Sequence, residues 1–167
     1  MKQPESVQVI KQRRDTALAK LVSGVPYLNW LGIVFERKGD ELTATLPFAE
    51  TLIGNPMLPA IHGGATAAFL EGTAAIQLAW SMLWEEIESK RIDPEALTPE
   101  TLPRMPKTID ITVDYLRTGL PRDAYARARV VRSGRRYASV QVEAWQDNRD
   151  KPFAAATGHF LMPARDE

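Results

Sequence analysis

Hydrophobic positions along the chain change period several times, and each change marks a different element. Near the N-terminus Val7, Ile10, Leu18 and Leu21 recur at roughly helical spacing among lysines, arginines and glutamines, the pattern of a surface helix with one face on a core. Gly24 and Pro26 stop it, so residues 1–24 read as an N-terminal helix. The compact apolar run VPYLNWLGI follows and is expected to pack on the core. Ile33, Val34 and Phe35 then lead to a Gly39-Asp40 turn. Beyond it Leu42, Ala44, Leu46 and Phe48 alternate with Glu41, Thr43, Thr45 and Pro47, the period of a half-buried strand and hence of a hairpin.

After a loop containing Gly54, Asn55, Pro56 and Pro59, the alternation gives way to a long segment from Gly63 to about Trp84. Its one charged residue is Glu71. Length and alanine content predict a helix, and apolarity on every side predicts that the helix is central. From Glu85 to Pro106 the chain turns polar, with Pro94, Pro99, Pro103 and Pro106. This reads as a helix extension and then a connecting loop. In KTIDITVDYLR, Ile109, Ile111, Val113 and Tyr115 alternate with Thr108, Asp110, Thr112 and Asp114. Strands near 123–132, 136–146 and 153–162 follow, separated by Ser133-Gly134 and Asp147-Asn148 turns. The order is hairpin, long helix, antiparallel meander. A sheet with one apolar face must cover it, and a single central helix does so. The fold class is α+β, in one domain spanning 1–167.

Composition changes this picture little. Hydrophobic residues make up 44% and charged residues 25% of the 167, ordinary for a soluble globular protein. The 21 basic and 21 acidic residues balance, which argues against a nucleic-acid binder. There is no cysteine, which removes disulfides, thiolate metal sites and cysteine nucleophiles. The N-terminal MKQPESVQVIKQRRD lacks the apolar core of a signal peptide, so the expected location is cytoplasmic. The segment from His62 to Glu85 is long enough to span a bilayer. Its glycines, Thr66, Thr73, Gln77 and Ser81, and a carboxylate in its middle, favour a helix buried in protein instead.

The candidate chemistry sits in IHGGATAAFLEG, from Ile61 to Gly72. Two glycines, Gly63 and Gly64, at the start of a buried helix make sense where another group must approach the backbone closely. The first amides of a helix have no partner inside it, and the helix dipole is positive there; such an end can hold a developing oxyanion. Glu71 is costly to bury unless it is paired, protonated or used, and a poised carboxylate is what general-base or nucleophilic attack on an acyl group needs. It lies nine residues after His62, too far to reach the amides of its own helix start, since nine residues rise about 13 Å. If both serve one site, two subunits meet there. The structural readings are His62 as a helix cap, Gly63-Gly64 as a plain turn, and Glu71 as an acid paired with an arginine across a dimer. Arg127 and Arg129 share one strand face, with Arg132, Arg135 and Arg136 at the next turn; these form either a phosphate-binding patch or a solvated strand face. Trp30, Trp80, Trp84 and Trp145 read as core or interface residues.

The run LPFAETLIGNPMLPAIHGGATAAFLEGTAA resembles the signature of the hotdog-fold thioesterases of the PaaI-like and 4-hydroxybenzoyl-CoA thioesterase type. VPYLNWLGI before it, and ITVDYLRTG and VVRSGRR after it, fall where that family has similar text. The resemblance implies a long helix wrapped by an antiparallel sheet, dimers or dimers of dimers, and active sites at the subunit interface. It implies hydrolysis of an acyl-CoA, with the Gly63 amide polarising the thioester carbonyl and Gly64 beside it. Glu71 acts from the other subunit as base or nucleophile. His62 matches the family histidine and Asn55 a polar residue near the carbonyl. A hydroxyl that some relatives carry falls at Ala75, so Thr73 is its candidate substitute, and Arg135 is the candidate contact for CoA phosphates. No cofactor and no metal are implied; His62 and His159, far apart and without cysteine, make a poor zinc set. The rivals are an acyl-thioester dehydratase of the same fold, and an acyl-CoA-binding or structural domain without catalysis.

Overall fold

The computed structural model describes residues 5–164; the first four residues of the expected N-terminal helix and the last three of the chain lie outside them. Helix α1 runs Val7–Ser23, started by the Ser6 hydroxyl, which accepts from the Val9 N–H, and closed at Gly24. Ala17, Leu18 and Leu21 bury its second half, whereas Val7 is 83% exposed. Arg37 and Arg14 fasten this helix. The Arg37 side chain is buried and donates to the Asp15 carboxylate and the Lys11 carbonyl. Arg14 pairs with Asp40 and lies over the Trp84 ring, 3.7 Å from its centroid.

Helix α2, Pro26–Trp30, begins on proline and turns Leu28 inward. Its aromatics do not follow. Tyr27 and Trp30 stack on each other at the surface, centroids 5.7 Å apart, and Trp30 is 76% exposed. Trp30 is therefore not a core residue of this chain, whereas Trp80 is. A helix of five residues has only one inward stripe, and Leu28 occupies it. Strands β1, Val34–Lys38, and β2, Glu41–Leu46, form the hairpin around Gly39-Asp40, with Leu42, Ala44 and Leu46 buried. Helix α3 then spans Gly63–Glu88, and four strands complete the chain: β3, Lys107–Tyr115, β4, Ala124–Ser133, β5, Tyr137–Trp145, and β6, Ala154–Leu161.

All six strands form one antiparallel sheet in the order β1-β2-β4-β5-β6-β3. The long helix crosses its inner face, packing on β2 through β6. What lets it lie there is a row of small side chains. Phe35 pairs with Ala44, Ala44 with Ala126, Ala126 with Ala144, Ala144 with Ala154, and Ala154 with Tyr115. Four alanines, each without exposure, thus link the outer strands across the sheet. Small residues on a concave face bring a helix close without voids. The facing side of α3 supplies the bulk, with Phe69, Leu70, Ile76, Leu78 and Leu83 buried.

The alternation read in β3 breaks once. A bulge between Thr108 and Asp110 leaves Ile109 opposite no residue of β6, and Ile109 is half exposed. Thr108 takes the inward place, opposite the buried Phe160. A single extra residue reverses the faces on either side of it, so the sequence period runs on although the side chains change sides.

The alanine row carries a test. Ala144→Leu, at its centre, is expected to cost about 1–3 kcal/mol by overpacking, read as a lower urea midpoint. Ala155→Leu, next to the row on the other face of β6, is expected to stay within about 0.5 kcal/mol of the parent.

Candidate active site

The approach to α3 is held by hydrogen bonds from three separate parts of the chain. The Ile61 N–H donates to the Gly119 carbonyl, and the His62 N–H to the Leu52 carbonyl. His62 is the N-cap residue, its Nδ1 accepting the Gly64 N–H at 2.8 Å. That bond makes Nδ1 an acceptor and leaves any ring proton on Nε2. From the end of β3 the Tyr115 hydroxyl donates to the Gly63 carbonyl, also at 2.8 Å. The peptide group between Gly63 and Gly64 is therefore fixed at its oxygen by Tyr115 and at its nitrogen by His62.

The preceding peptide is held on one side only. The His62 carbonyl accepts the Thr66 N–H, while the Gly63 N–H, first of the helix, has no partner among the described residues. First-turn amides point out of a helix along its axis, at the end where the dipole favours negative charge. The result is one free donor on a rigid frame. The glycines are explained by crowding. A Cβ at Gly63 would lie 3.3 Å from the Tyr115 ring, and one at Gly64 3.0 Å from Nδ1 of His62. A Cβ at Gly54 would come within 2.9 Å of His62 itself.

Glu71 lies farther along α3 and is half-buried. It borders a pocket of about 190 Å³ with Ala68, Gly72 and Ala75 of the same helix, Tyr27 and Leu28 of α2, and Met105. The carboxylate makes no hydrogen bond and no ion pair with any described residue. A paired acid within one chain is thus not what the structure contains. The carboxylate stands against mostly apolar walls, with no arginine among the pocket's lining residues.

The other expected residues are scattered. Asn55 sits in the exposed loop before α3, its Oδ1 accepting the Met57 N–H and its amide nitrogen unengaged. Thr73 does not join Glu71. It is 2% exposed in the core and its hydroxyl donates to the Phe69 carbonyl, because two positions along a helix turn a side chain well away from its neighbour's face. Arg127 donates to Thr43 and Glu41, and Arg129 to Gln141, so both serve cross-strand pairing. Arg132, Arg135 and Arg136 are exposed about the β4–β5 turn, and no ion pair holds them among the described residues. His159 is remote from the site, paired with Asp110 and stacked on Tyr137. No group of three or more His, Asp or Glu side chains among the described residues could hold a metal ion, and no described helix is long and apolar enough to cross a membrane.

Residues 54–161 match the acyl-CoA thioesterase N-terminal domain family. The chain belongs to that family. It is a thioester hydrolase with the hotdog fold, the class its sequence resembles. Over 141 residues it is 30% identical to the medium/long-chain acyl-CoA thioesterase YigI of Salmonella typhimurium, covering 83% of this chain and 86% of YigI. The crystal structure of a Chromobacterium violaceum protein is similar at a TM-score of 0.62 and 31% identity, covering 96% of this chain and 100% of that one. A phenylacetic acid degradation-related protein of Ralstonia eutropha shares the fold at a TM-score of 0.64 and 21% identity, covering 87% and 99%.

Tyr115 was not legible as a site residue of this thioesterase. Its one signal is position, an aromatic at the inward end of the strand that closes the sheet. Tyr115→Phe keeps the ring and removes the bond to the Gly63 carbonyl. It is expected to lower stability by about 1 kcal/mol and to lower thiol release from acyl-CoA in protein that remains fully folded. A urea titration and a rate measured on the same sample check both.

Proposed function

We propose that the enzyme hydrolyses acyl-CoA thioesters at a composite site, with the Gly63 amide of one copy and Glu71 of a second copy facing the same carbonyl. The observation that carries this reading is the pair of unengaged groups: one amide at the start of α3, and one carboxylate about 12 Å along it. Neither has a partner among the described residues, and a carbonyl that both address must lie between two copies. The thioester oxygen accepts from the Gly63 N–H. The Glu71 carboxylate takes a proton from water as the water oxygen adds to the carbonyl carbon, or adds to that carbon itself. The negative charge gathers on the carbonyl oxygen at the helix N-terminus. Collapse breaks the carbon–sulfur bond, and CoA leaves as a thiolate that regains a proton. On the nucleophilic route this leaves an acyl–Glu71 anhydride, which water then opens at the Glu71 carbonyl to give the free acid and the carboxylate again. Single-turnover hydrolysis in heavy-oxygen water separates the two routes, because only the nucleophilic one leaves label in Glu71.

His62 positions the frame through its cap to Gly64. With Nδ1 so engaged, the ring is poorly placed as the base a dehydratase would need, and hydrolysis is favoured over that rival. The free amide nitrogen of Asn55 serves the thioester side, and Arg135 with its neighbours serves the CoA phosphates. The acyl group lies against apolar walls beside Glu71 that offer little to hydrogen-bond a substituent, which suits an aliphatic chain. YigI acts on medium and long chains by its name, and the same substrate class is assigned here.

Glu71→Gln is expected to lower kcat at least about a hundredfold, the scale of a lost catalytic group. Gly63→Pro deletes the one amide in question at a helix position that tolerates proline. Because its Cβ meets Tyr115 at 3.3 Å, Gly63→Ala, which adds the same Cβ and keeps the amide, is the reference. Against it the proline is expected to cost about a hundred- to thousandfold. Mixed after unfolding and refolding together, the Glu71→Gln and Gly63→Pro variants are expected to regain turnover, since a mixed pair holds one site with both groups intact. Mixtures as inactive as their parents, with mixed pairs shown to form, would place both groups in separate roles. Arg135→Ala is expected to raise KM with kcat unchanged, measured by thiol release.

A further inference from the structure

The pocket beside Glu71 has a feature that catalysis does not require. Gly72 stands in the interior of α3, where glycine weakens a helix relative to alanine, and its backbone does not take the left-handed conformation that would demand glycine. The space is used by another element. A Cβ at Gly72 would lie 2.4 Å from Cδ2 of Leu28, so the Leu28 side chain fills the place a larger residue would occupy. Leu28 is 3% exposed and is the one buried residue of α2.

Both residues line the pocket, beside Ala68 and Ala75, which keep its helix side shallow, and Met105. At about 190 Å³ the pocket is small against the roughly 300–1,000 Å³ of sites that enclose whole ligands. Its carboxylate end is Glu71. The contact of Leu28 with Gly72 forms part of its wall.

We infer that Leu28, seated in the gap at Gly72, is the residue that limits acyl-chain length. This rests on the reading of Glu71 as the group facing the thioester. An acyl chain entering past Glu71 meets the Leu28 side chain, and the α2 segment acts as the adjustable wall of a site whose other wall is the rigid helix. Truncation of Leu28 to alanine frees the volume of about three carbons. Adding a methyl at position 72 returns part of that volume.

The experiment measures kcat/KM over straight-chain acyl-CoAs from butanoyl to hexadecanoyl. The proteins are the full-length parent, Leu28→Ala, Leu28→Val, Leu28→Ala with Gly72→Ala, and Glu71→Gln, each checked for folding by circular dichroism. For Leu28→Ala the optimum is expected to move to chains longer by about two carbons. Relative to the parent's preferred chain, the longer one gains at least about tenfold, the usual effect of a methylene in an apolar pocket. The double variant moves back toward the parent. If Leu28→Ala does not fold, Leu28→Val carries the same shift at smaller size. Folded Leu28 variants with the parent's chain-length profile would overturn the inference, as would a double variant that stays at the longer optimum. The reading of Glu71 fails separately, if Glu71→Gln keeps parental turnover. In that case the affinities of the Leu28 variants for non-hydrolysable thioether analogues of the same acyl-CoAs still decide whether Leu28 sets length.

Discussion

Most of this structure follows from the need to bury one helix that is apolar nearly all round. Helix α3 cannot sit on a flat sheet and leave its flanks wet, so the sheet must come close to it and the ends of the sheet must serve it too. Ala44, Ala126, Ala144 and Ala154, paired in sequence across the middle strands, provide the close approach. At one end of their row stands Tyr115, whose hydroxyl reaches the first carbonyl of the helix. Packing and site geometry are thus two aspects of one row of residues.

The places where α3 departs from what a stable helix would choose are the places to which the proposed function assigns a role. Glycines at positions 63 and 64 make room for Tyr115 and the His62 ring. Glu71 is a carboxylate without a partner among the described residues, and Gly72 is an interior glycine holding another residue's side chain. Local rules of propensity and polar pairing are broken there and kept in the rest of the helix, the distribution expected when function overrides stability. The unengaged Gly63 amide and the Glu71 carboxylate stand eight residues apart on this one helix, about 12 Å along its axis.

Much of the architecture could be read from residue patterns because strong periodicity survives folding. The hairpin about Gly39-Asp40, the helix from Gly63 and the three closing strands all lie where alternation and apolar runs place them. The failures share a cause, which is that linear period does not report local geometry. Ile109 keeps the alternation in sequence but falls in a bulge, and Trp30 keeps the apolar run but lies on the outside of a one-turn helix. Thr73 was chosen for its hydroxyl, yet a helix position two residues from Glu71 turns that hydroxyl into the core. Glu71 and the His62-Gly63-Gly64 start were conspicuous because they interrupt a pattern. Tyr115 and Leu28 continue theirs, and what each of them touches is fixed only by the tertiary arrangement.

The two sides of the Glu71 pocket differ in how freely they could change over evolutionary time. The α3 side is committed on its opposite face to an alanine-lined sheet, so a shift of the helix would be felt by the strands from β2 to β6 on which it packs. The α2 side is a five-residue turn of chain between α1 and β1 whose one buried residue is Leu28. A lineage could rewrite that short segment, residue by residue, while the sheet, the helix and the acid stayed as they are. The fold thereby separates a helix tied to the sheet from a short segment tied to little else, and new substrate preferences could arise without a new core.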